Sequence, residues 1–315
     1  MQSFNFAKRH FNPLVNRYLV WAQTHEWRGK HRFYIWMSAH FPQKLIRYKV
    51  KERFFSVPLT ELCFWLEGGP NNYYLEEFIP FCDLLSDLEK PFTFLDLGAD
   101  IGTVSSLVAS RCTNLRNIIA FEPNPNSFTV LEQNFSQFSL DVMALNSAVS
   151  DFNGKADLDA DMSRANDHEG QIIKADSGAV DVVSLDSWFR LNPQVKLCSR
   201  VVVKIDVEGQ EQQVLAGAAE LLTHVDSVIL LLEIHPEVLV KTNITPEELF
   251  RQAEALRGFD WYVPIVSKDQ KVDRTTAFFK QYEIKQYDVI VQPGRLRMFG
   301  IGISFGITPL VAQAD

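Results

Sequence analysis

Short apolar runs alternate with amphipathic stretches through the middle of the chain. Five runs have the length and composition of buried strands: Phe92–Leu97, Asn117–Phe121, Val142–Ala148, Val201–Val207 and Ser227–Ile234. The segments between them have helical periodicity or capping residues: Thr103–Arg111, Pro125 to about Gln137, Gln212–Leu222, and Thr245 to about Arg257. Strands separated by helices predict an α/β fold with a doubly wound, mostly parallel sheet.

The flanking segments divide the chain into three predicted parts. Residues 1–50 form a basic, aromatic extension with a helix after Pro13, and residues 51–297 form the α/β domain. Within that domain, polar residues and glycines over 151–178 indicate loops and a short hairpin. Tyr287–Val291 is predicted to be the last strand of the domain. Residues 298–315 are an apolar tail that contains glycines, and its apolar stretch from Phe299 to Val311 is too short to cross a bilayer.

The net charge of −8 is unevenly distributed. Residues 1–50 hold nine lysines and arginines against one acid, Glu26, so the rest of the chain is strongly acidic. An acidic body argues against a nucleic-acid partner, because phosphate binding needs a basic surface. The basic, aromatic extension leaves two hypotheses open: a helical cap packed on the domain, or peripheral contact with an anionic membrane.

The four cysteines lie far apart and form no C-x-x-C pair. This pattern favours reduced thiols over a disulfide scaffold or a zinc site. We therefore expect a cytoplasmic protein, with peripheral membrane contact left open.

The most informative motif is FLDLGADIG at residues 94–102, followed about twenty residues later by Glu122 at the end of the second predicted strand. A turn containing Gly98 and Gly102 allows the backbone to approach a ligand closely, and Asp96 can fix the turn and attract a cationic amino group. A carboxylate such as Glu122 binds a ribose diol at this position. The motif predicts an adenosine cofactor. It lacks the glycine spacing of dinucleotide binders and resembles the D-x-G-x-x-x-G turn of S-adenosylmethionine methyltransferases.

A second cluster of polar residues, KIDVEG at 204–209, ends the predicted central strand. Period-two geometry would point Asp206 and Glu208 to the same side, at the sheet edge where α/β proteins bind ligands. Glu233 and His235 end the next strand. Buried carboxylates beside a lysine are costly unless they are paired, solvated or used in chemistry.

These motifs together resemble the FkbM family of S-adenosylmethionine-dependent methyltransferases. The resemblance rests on residues 96–102, 121–123 and 204–209, with further matches at Asn146–Asp151, Val183–Asp186 and Tyr74–Glu77, all in the family's order. It covers roughly residues 70–295. The family usually has asparagine where this chain has Asp100, a near-isosteric change that adds a negative charge close to the methionine end of the cofactor.

The resemblance implies a Rossmann-like class I methyltransferase fold. The implied activity is methyl transfer from S-adenosylmethionine to a hydroxyl of a sugar, glycan, lipid-linked or related small molecule. The implied cofactor-binding residues are Asp96, Gly98, Asp100, Gly102, Glu122 and Ala148. Deprotonating a hydroxyl needs a base, for which Asp206 is the first candidate, with His235 and Glu208 as further catalytic candidates.

Three alternatives remain at this stage. A divalent metal could acidify the hydroxyl, although no compact metal-binding spacing is present and a metal is not favoured. A non-catalytic version of the fold could serve as an assembly or membrane-associated module. An NAD-dependent oxidoreductase is less favoured, since it predicts dinucleotide glycine spacing. The sequence leaves the oligomeric state open.

Overall fold

A computed structural model describes residues 9–73, 75–159, 171–234, 242, 244–263, 267–271 and 307–314. The helices are α1 (Pro13–Thr24), α2 (Lys30–His40), α3 (Leu62–Leu66), α4 (Leu75–Ser86), α5 (Thr103–Arg111), α6 (Pro125–Phe135), α7 (Leu185–Leu191), α8 (Glu211–Gly217), α9 (Ala219–His224) and α10 (Pro246–Leu256). The strands are β1 (Leu45–Val50), β2 (Arg53–Pro58), β3 (Phe92–Leu97), β4 (Leu115–Phe121), β5 (Asp141–Leu145), β6 (Ala148–Val149), β7 (Gly154–Asp159), β8 (Gln171–Lys174), β9 (Val180–Val183), β10 (Arg200–Ile205), β11 (Ser227–Ile234), β12 (Asp260–Val263), β13 (Ser267–Lys271) and β14 (Ile307–Ala314).

The central sheet has the strand order β13-β12-β14-β11-β10-β3-β4-β5. Strands β5, β4, β3, β10 and β11 are parallel, and β14 runs antiparallel to both of its neighbours, β11 and β12. From β3 the chain builds outward on one side to β5 and then crosses to β10 on the other side. This order confirms the predicted doubly wound, mostly parallel sheet.

Both faces of the sheet are covered, which explains the nearly unbroken apolar runs. Leu95 and Leu97 of β3 pack with Val203 in one apolar cluster, under α7, α8 and α10. Phe94 and Val202 belong to a second cluster on the opposite face, under α4, α5 and α6. Alternate residues of each central strand therefore serve two cores, and the carboxyl ends of the strands are left as the accessible edge.

Two predicted elements are shorter than expected. The third strand of the domain, β5, ends at Leu145 because the side-chain amide of Asn146 donates hydrogen bonds to the carbonyls of Glu122 and Pro123. Residues 148 and 149 join a separate four-stranded sheet, β6-β9-β7-β8, which contains the expected hairpin β7–β8.

The helix expected over 212–222 is divided into α8 and α9 at Ala218. The Asp186 carboxylate accepts hydrogen bonds from the backbone N–H groups of Glu220 and Leu221, at 2.9 and 2.8 Å. Asp186, part of a segment used in the family resemblance, therefore caps the start of α9.

The C-terminal segment contributes to the sheet. Strand β14 lies within the part of the sequence expected to form a tail, and it pairs with β11 from Val228 to Ile234. The strand predicted at Tyr287–Val291 lies outside the described residues. Within the described ranges, no helix combines the length and the apolarity needed to cross a membrane.

The N-terminal helices and the β1–β2 hairpin form a unit that packs on the domain. The predicted helix after Pro13 is confirmed as α1, and the hairpin continues across residue 50, where the sequence suggested a boundary. Leu19, Met37 and Ile46 are buried in an apolar cluster that also includes Ile101 and Val130 of the domain.

Asn134, a buried residue of α6, joins this unit to the domain by hydrogen bonds. Its Oδ1 accepts from the N–H of Ser56 at 2.8 Å, and its Nδ2 donates to the carbonyls of Ser56 and Ile101 at 3.0 and 2.9 Å. Asn134 therefore links strand β2 to the turn that precedes α5.

We predict that Asn134→Ala lowers the free energy of unfolding by about 1–3 kcal/mol, because it leaves buried backbone groups of Ser56 and Ile101 without partners. Urea denaturation measures the loss. Gln137→Ala is the matched control, since Gln137 makes only a 3.4 Å contact with the Phe54 N–H at an exposed position. Equal effects of the two substitutions would contradict the linking role of Asn134.

Candidate active site

A cleft opens at the carboxyl ends of β3, β4 and β10, with an open volume of about 740 Å³ that includes space continuous with solvent. This is the point where the strand order reverses, the usual ligand position in doubly wound sheets. The lining residues are Gly98, Asp100, Phe121, Glu122, Pro123, Asn124, Ser127, Ser147, Ala148, Val149, Leu158, Ile172, Asp206, Val207, Glu208 and Gln210.

Lys204 lies beneath this cleft and is only 3% exposed. In the sheet register it stands opposite Asp96 of the neighbouring strand. Its Nζ donates to Asp206 Oδ2 at 2.8 Å and to the Gly98 carbonyl at 2.9 Å, and it lies 3.5 Å from Asp96 Oδ1. One ammonium group therefore ties the end of β10 to the end of β3.

The electrostatic balance keeps Lys204 charged. Burial alone would lower the pKa of the ammonium, but the carboxylates of Asp206, Asp96 and Glu233 raise it well above its ordinary value. Asp96 is fully buried, and burial raises the pKa of its carboxyl group against the opposing effects of Lys204 and of the Ser105 hydroxyl. The Ser105 hydroxyl donates to Asp96 Oδ2 at 2.6 Å. Buried charges of this kind are stable only as a paired set.

Gly98 is required by the packing of two loops. It has φ of 76°, and a Cβ at this position would lie 1.7 Å from the Asp206 carbonyl oxygen. The turn after β3 and the turn after β10 are therefore in direct backbone contact, and the Asp206 N–H donates to the Leu97 carbonyl at 3.1 Å. Any side chain at position 98 would push these turns apart.

Glu122, which directly follows β4, accepts a hydrogen bond from the turn that follows β3. Its Oε2 accepts from the Asp100 N–H and its Oε1 from the Asn124 N–H, both at 2.7 Å. The residue is 5% exposed and lines the cleft. Its carboxylate is thus oriented by two backbone donors at the edge of the cavity.

Asp100 has a backbone conformation that explains its residue type. Its φ of 48° lies in the left-handed region, where asparagine and aspartate are the best tolerated residues other than glycine. Asparagine, usual in the family at this position, and the aspartate found here both satisfy this constraint. The substitution therefore changes the charge of the cleft and preserves its backbone.

The turn after β10 carries the two carboxylates expected at this edge. The strand ends at Ile205, and Glu208 has φ of 51°, so the period-two argument for Asp206 and Glu208 does not apply. Both residues nevertheless line the cleft, and the Asp206 side chain is 25% exposed. A left-handed φ at a glutamate stores strain, which proteins tolerate most often at functional sites.

The structure brings most of the predicted residues together. Gly98, Asp100, Glu122, Ala148, Asp206 and Glu208 all line the cleft. Asp96 and Gly102 do not: Asp96 lies below it, and a Cβ on Gly102, which has φ of 84°, would meet the Leu131 side chain at 2.7 Å. His235 lies outside the described residues.

Several lining residues were missed by the sequence interpretation. Leu158 of β7 and Ile172 of β8 form an apolar wall. The sequence predicted a short hairpin within 151–178 but not that it would line the cleft. Ser127, in the first turn of α6, and Gln210 contribute polar groups. The Asn124-Pro125 start of α6 was a usable signal for Ser127, since it fixed where that helix begins.

The described residues contain no group of three or more histidine, cysteine, aspartate or glutamate side chains arranged to hold a metal ion.

These features define an α/β domain whose cleft, at the switch point of a doubly wound sheet, is suited to an adenosine cofactor. Residues 96–251 match the methyltransferase FkbM domain. This match assigns just under half of the chain to the FkbM methyltransferase domain family. The match runs from the β3 carboxylate Asp96 into α10 and includes every described residue that lines the cleft.

One similar protein is the hexuronic acid methyltransferase AglP of Haloferax volcanii, which is 31% identical over 155 residues, 49% of this chain. The matched segment spans 61% of the length of that relative.

Among solved structures, a methyltransferase FkbM from Methylobacillus flagellatus KT is 14% identical, with a TM-score of 0.36 over 63% of this chain and 47% of that one. The precorrin-6y C5,15-methyltransferase from Geobacter metallireducens GS-15 is also 14% identical, with a TM-score of 0.33 over 58% of this chain and 71% of that one. Both likenesses are loose, and the fold assignment rests on the strand order and the family match.

We predict that Lys204→Met lowers the free energy of unfolding by about 3–5 kcal/mol near neutral pH, because it leaves the buried Asp96 carboxylate unpaired. Without the ammonium, burial raises the pKa of Asp96 further above its unfolded value of 3.8. A carboxyl group with a raised folded pKa favours the folded state as the pH falls, so the loss should shrink between about pH 8 and about pH 5.

Urea denaturation across this pH range measures both effects. Arg190→Met is the matched control, because it removes a cation from an exposed pair, 2.6 Å from Glu220, and should cost less than about 1 kcal/mol. The double variant Lys204→Met/Asp96→Asn should recover part of the loss. A loss that does not change with pH would contradict the assigned charge pairing.

Proposed function

We propose that this chain is an S-adenosylmethionine-dependent O-methyltransferase that acts on a hydroxyl of a sugar, glycan or lipid-linked sugar. The single observation that carries the proposal is the placement of two carboxylates, Glu122 and Asp206, on one cleft at the switch point of the sheet. The first suits a ribose diol, and the second suits a reacting hydroxyl. The FkbM domain match supports the reaction class.

The cleft has the chemistry that the cofactor requires. Glu122 presents a carboxylate already oriented by the Asp100 and Asn124 N–H groups, as a ribose diol needs. Leu158 and Ile172 line the cleft with partly exposed side chains and give apolar surface suited to an adenine ring. We assign Gly98, Asp100, Glu122 and Ala148 to cofactor binding.

Asp96 and Gly102 support this site from outside the cleft. Asp96 helps to fix the turn through Ser105 and Lys204, and Gly102 lets α6 pack closely against it. Their proposed role is to position the turn.

The catalytic proposal centres on Asp206. When bound, S-adenosylmethionine supplies a methyl group that is already activated on a sulfonium. The remaining tasks are to align the acceptor hydroxyl, exclude water and remove its proton. The hydrogen bond from Lys204 Nζ, at 2.8 Å, orients the Asp206 carboxylate, which lines the cleft and would accept the proton of an acceptor hydroxyl.

Two further residues are proposed near the acceptor. Glu208 lines the cleft two positions after Asp206 and can accept a hydrogen bond from a second hydroxyl. His235 directly follows β11 in sequence and remains the second candidate for the base.

The acceptor class is supported by one relative. AglP of Haloferax volcanii, 31% identical over 155 residues of this chain, is named as a hexuronic acid methyltransferase. A sugar presents several neighbouring hydroxyls, which carboxylates such as Asp206 and Glu208 bind well. We therefore propose a hydroxyl-rich glycan acceptor.

We predict that Asp206→Asn reduces methyl transfer at least about 100-fold while leaving S-adenosylmethionine affinity within about threefold, because it removes the base but keeps the shape of the side chain. Transfer of a radiolabelled methyl group to a panel of hexuronic acid glycosides, with a parallel calorimetric titration of the cofactor, measures both quantities.

Asp141→Asn is the matched control, since Asp141 is exposed at the amino end of β5, the opposite edge of the sheet from the cleft. It should leave both quantities unchanged. Full activity of a folded Asp206→Asn variant would remove Asp206 from the role of base. A wild-type chain that binds the cofactor but methylates no hydroxyl in the panel would contradict the proposed acceptor class.

A further inference from the structure

Helices α1 and α2 expose large apolar side chains on their outer surface. Among them, Leu14, Tyr18, Trp21 and Trp36 are 82%, 49%, 46% and 50% exposed. Leu14, Tyr18 and Trp21 are spaced at i, i+4 and i+7, so they lie on one side of α1. Single exposed apolar residues are ordinary, but a row of this kind marks an interaction surface.

The rings form a continuous surface across the two helices. Ring centroids are separated by 5.9 Å between Trp21 and Tyr18, by 6.0 Å between Tyr18 and Phe33, and by 6.5 Å between Phe33 and Trp36. Phe41 extends the row, 6.1 Å from Trp36. We call this surface, formed by Leu14, Tyr18, Trp21, Phe33, Trp36 and Phe41, the aromatic face.

Folding of the N-terminal unit leaves most of the aromatic face outside its core. Both helices pack on the domain mainly through Leu19 and Ala22 of α1 and Met37 of α2, which are at most 5% exposed. Of the aromatic face, Phe33 is partly buried against this cluster. The core therefore buries the other side of each helix, and most of the aromatic face stays exposed and available for another contact.

The charges around the aromatic face are almost all positive. Arg17, Arg28 and Arg32 are exposed on α1, on the connection and on α2. The only acid among residues 1–50, Glu26, is paired with Lys30 at 2.8 Å. A second copy of this chain would bring the same arginines together, so like charges oppose self-association through this surface.

We propose that the aromatic face docks onto an anionic membrane surface. Tryptophan and tyrosine side chains favour the interface between head groups and hydrocarbon, and exposed arginines are attracted to anionic lipids. Leu14, the most exposed of these apolar residues, favours a lipid over single-stranded nucleic acid, because an aliphatic side chain offers no ring on which a base can stack. The proposal concerns a surface outside the cleft and does not depend on the methyltransferase assignment.

Cosedimentation of the full chain with lipid vesicles tests the proposal. Binding to phosphatidylcholine vesicles that contain phosphatidylglycerol should be roughly tenfold or more tighter than to phosphatidylcholine alone, and it should weaken with added salt. The triple variant Leu14→Ser/Trp21→Ser/Trp36→Ser and the charge variant Arg17→Glu/Arg28→Glu/Arg32→Glu should each lose about tenfold or more. The matched control Ile173→Ser/Leu191→Ser removes apolar side chains that are 56% and 79% exposed elsewhere, and it should bind as the wild type does.

A second measurement needs no variant. Brominated lipids in the anionic vesicles should quench the tryptophan fluorescence of the wild-type chain. Equal binding to both kinds of vesicle, absence of quenching, or an equal loss in the control would overturn the proposal. It would also be overturned by a dimer in light scattering that the triple variant dissociates, or by tighter binding to a single-stranded RNA than to the vesicles.

Discussion

The structure of the cleft depends on one buried ammonium group. Lys204 bonds to the Gly98 carbonyl and the Asp206 carboxylate and lies 3.5 Å from Asp96. Strands β3 and β10 are adjacent in the sheet, but the turns that follow them come from distant parts of the chain and carry acidic side chains. Without a cation between them, the carboxylates would repel one another in a region with little water. Lys204 offsets this repulsion and fixes the distance between the two turns.

This constraint explains how the site is divided between support and chemistry. Asp96 is fully buried and lies below the cleft, where it positions the turn after β3. Asp206 contacts the same lysine but lines the cleft. Glu122 gives the turn a second attachment through the Asp100 N–H. The proposed cofactor and acceptor positions are therefore set by the same small network. Asn134 extends it to the N-terminal unit through Ile101, so the turn is held from β10, from β4 and from the β1–β2 hairpin.

Much of the fold follows from local sequence patterns. The predicted bounds of β3, α5 and β11 match the structure because apolar runs buried on both faces and a glycine-marked turn leave few alternatives. The bounds of β5 and α8 differed, because Asn146 and Ala218 end these elements through tertiary contacts and backbone geometry that periodicity does not encode. Within the site, the sequence assigned Asp96 to the cofactor and Asp206 to the base, but only the three-dimensional register shows that Asp96 lies below the cleft and Asp206 lines it. On α1, helical spacing predicted the helix correctly but not that Leu14, Tyr18 and Trp21 face outward.

The central claim is that this cleft binds S-adenosylmethionine through Glu122. Calorimetric titration of the wild-type chain with S-adenosylmethionine, and separately with NAD, tests it most directly, with Glu122→Ala as the variant and exposed Glu132→Ala on α6 as the matched control. We expect S-adenosylmethionine binding without NAD binding, a loss of about 1–3 kcal/mol of binding free energy in Glu122→Ala, and no change in Glu132→Ala. Unchanged affinity in a folded Glu122→Ala variant would contradict the cofactor site. Binding of NAD alone would contradict the reaction class as well.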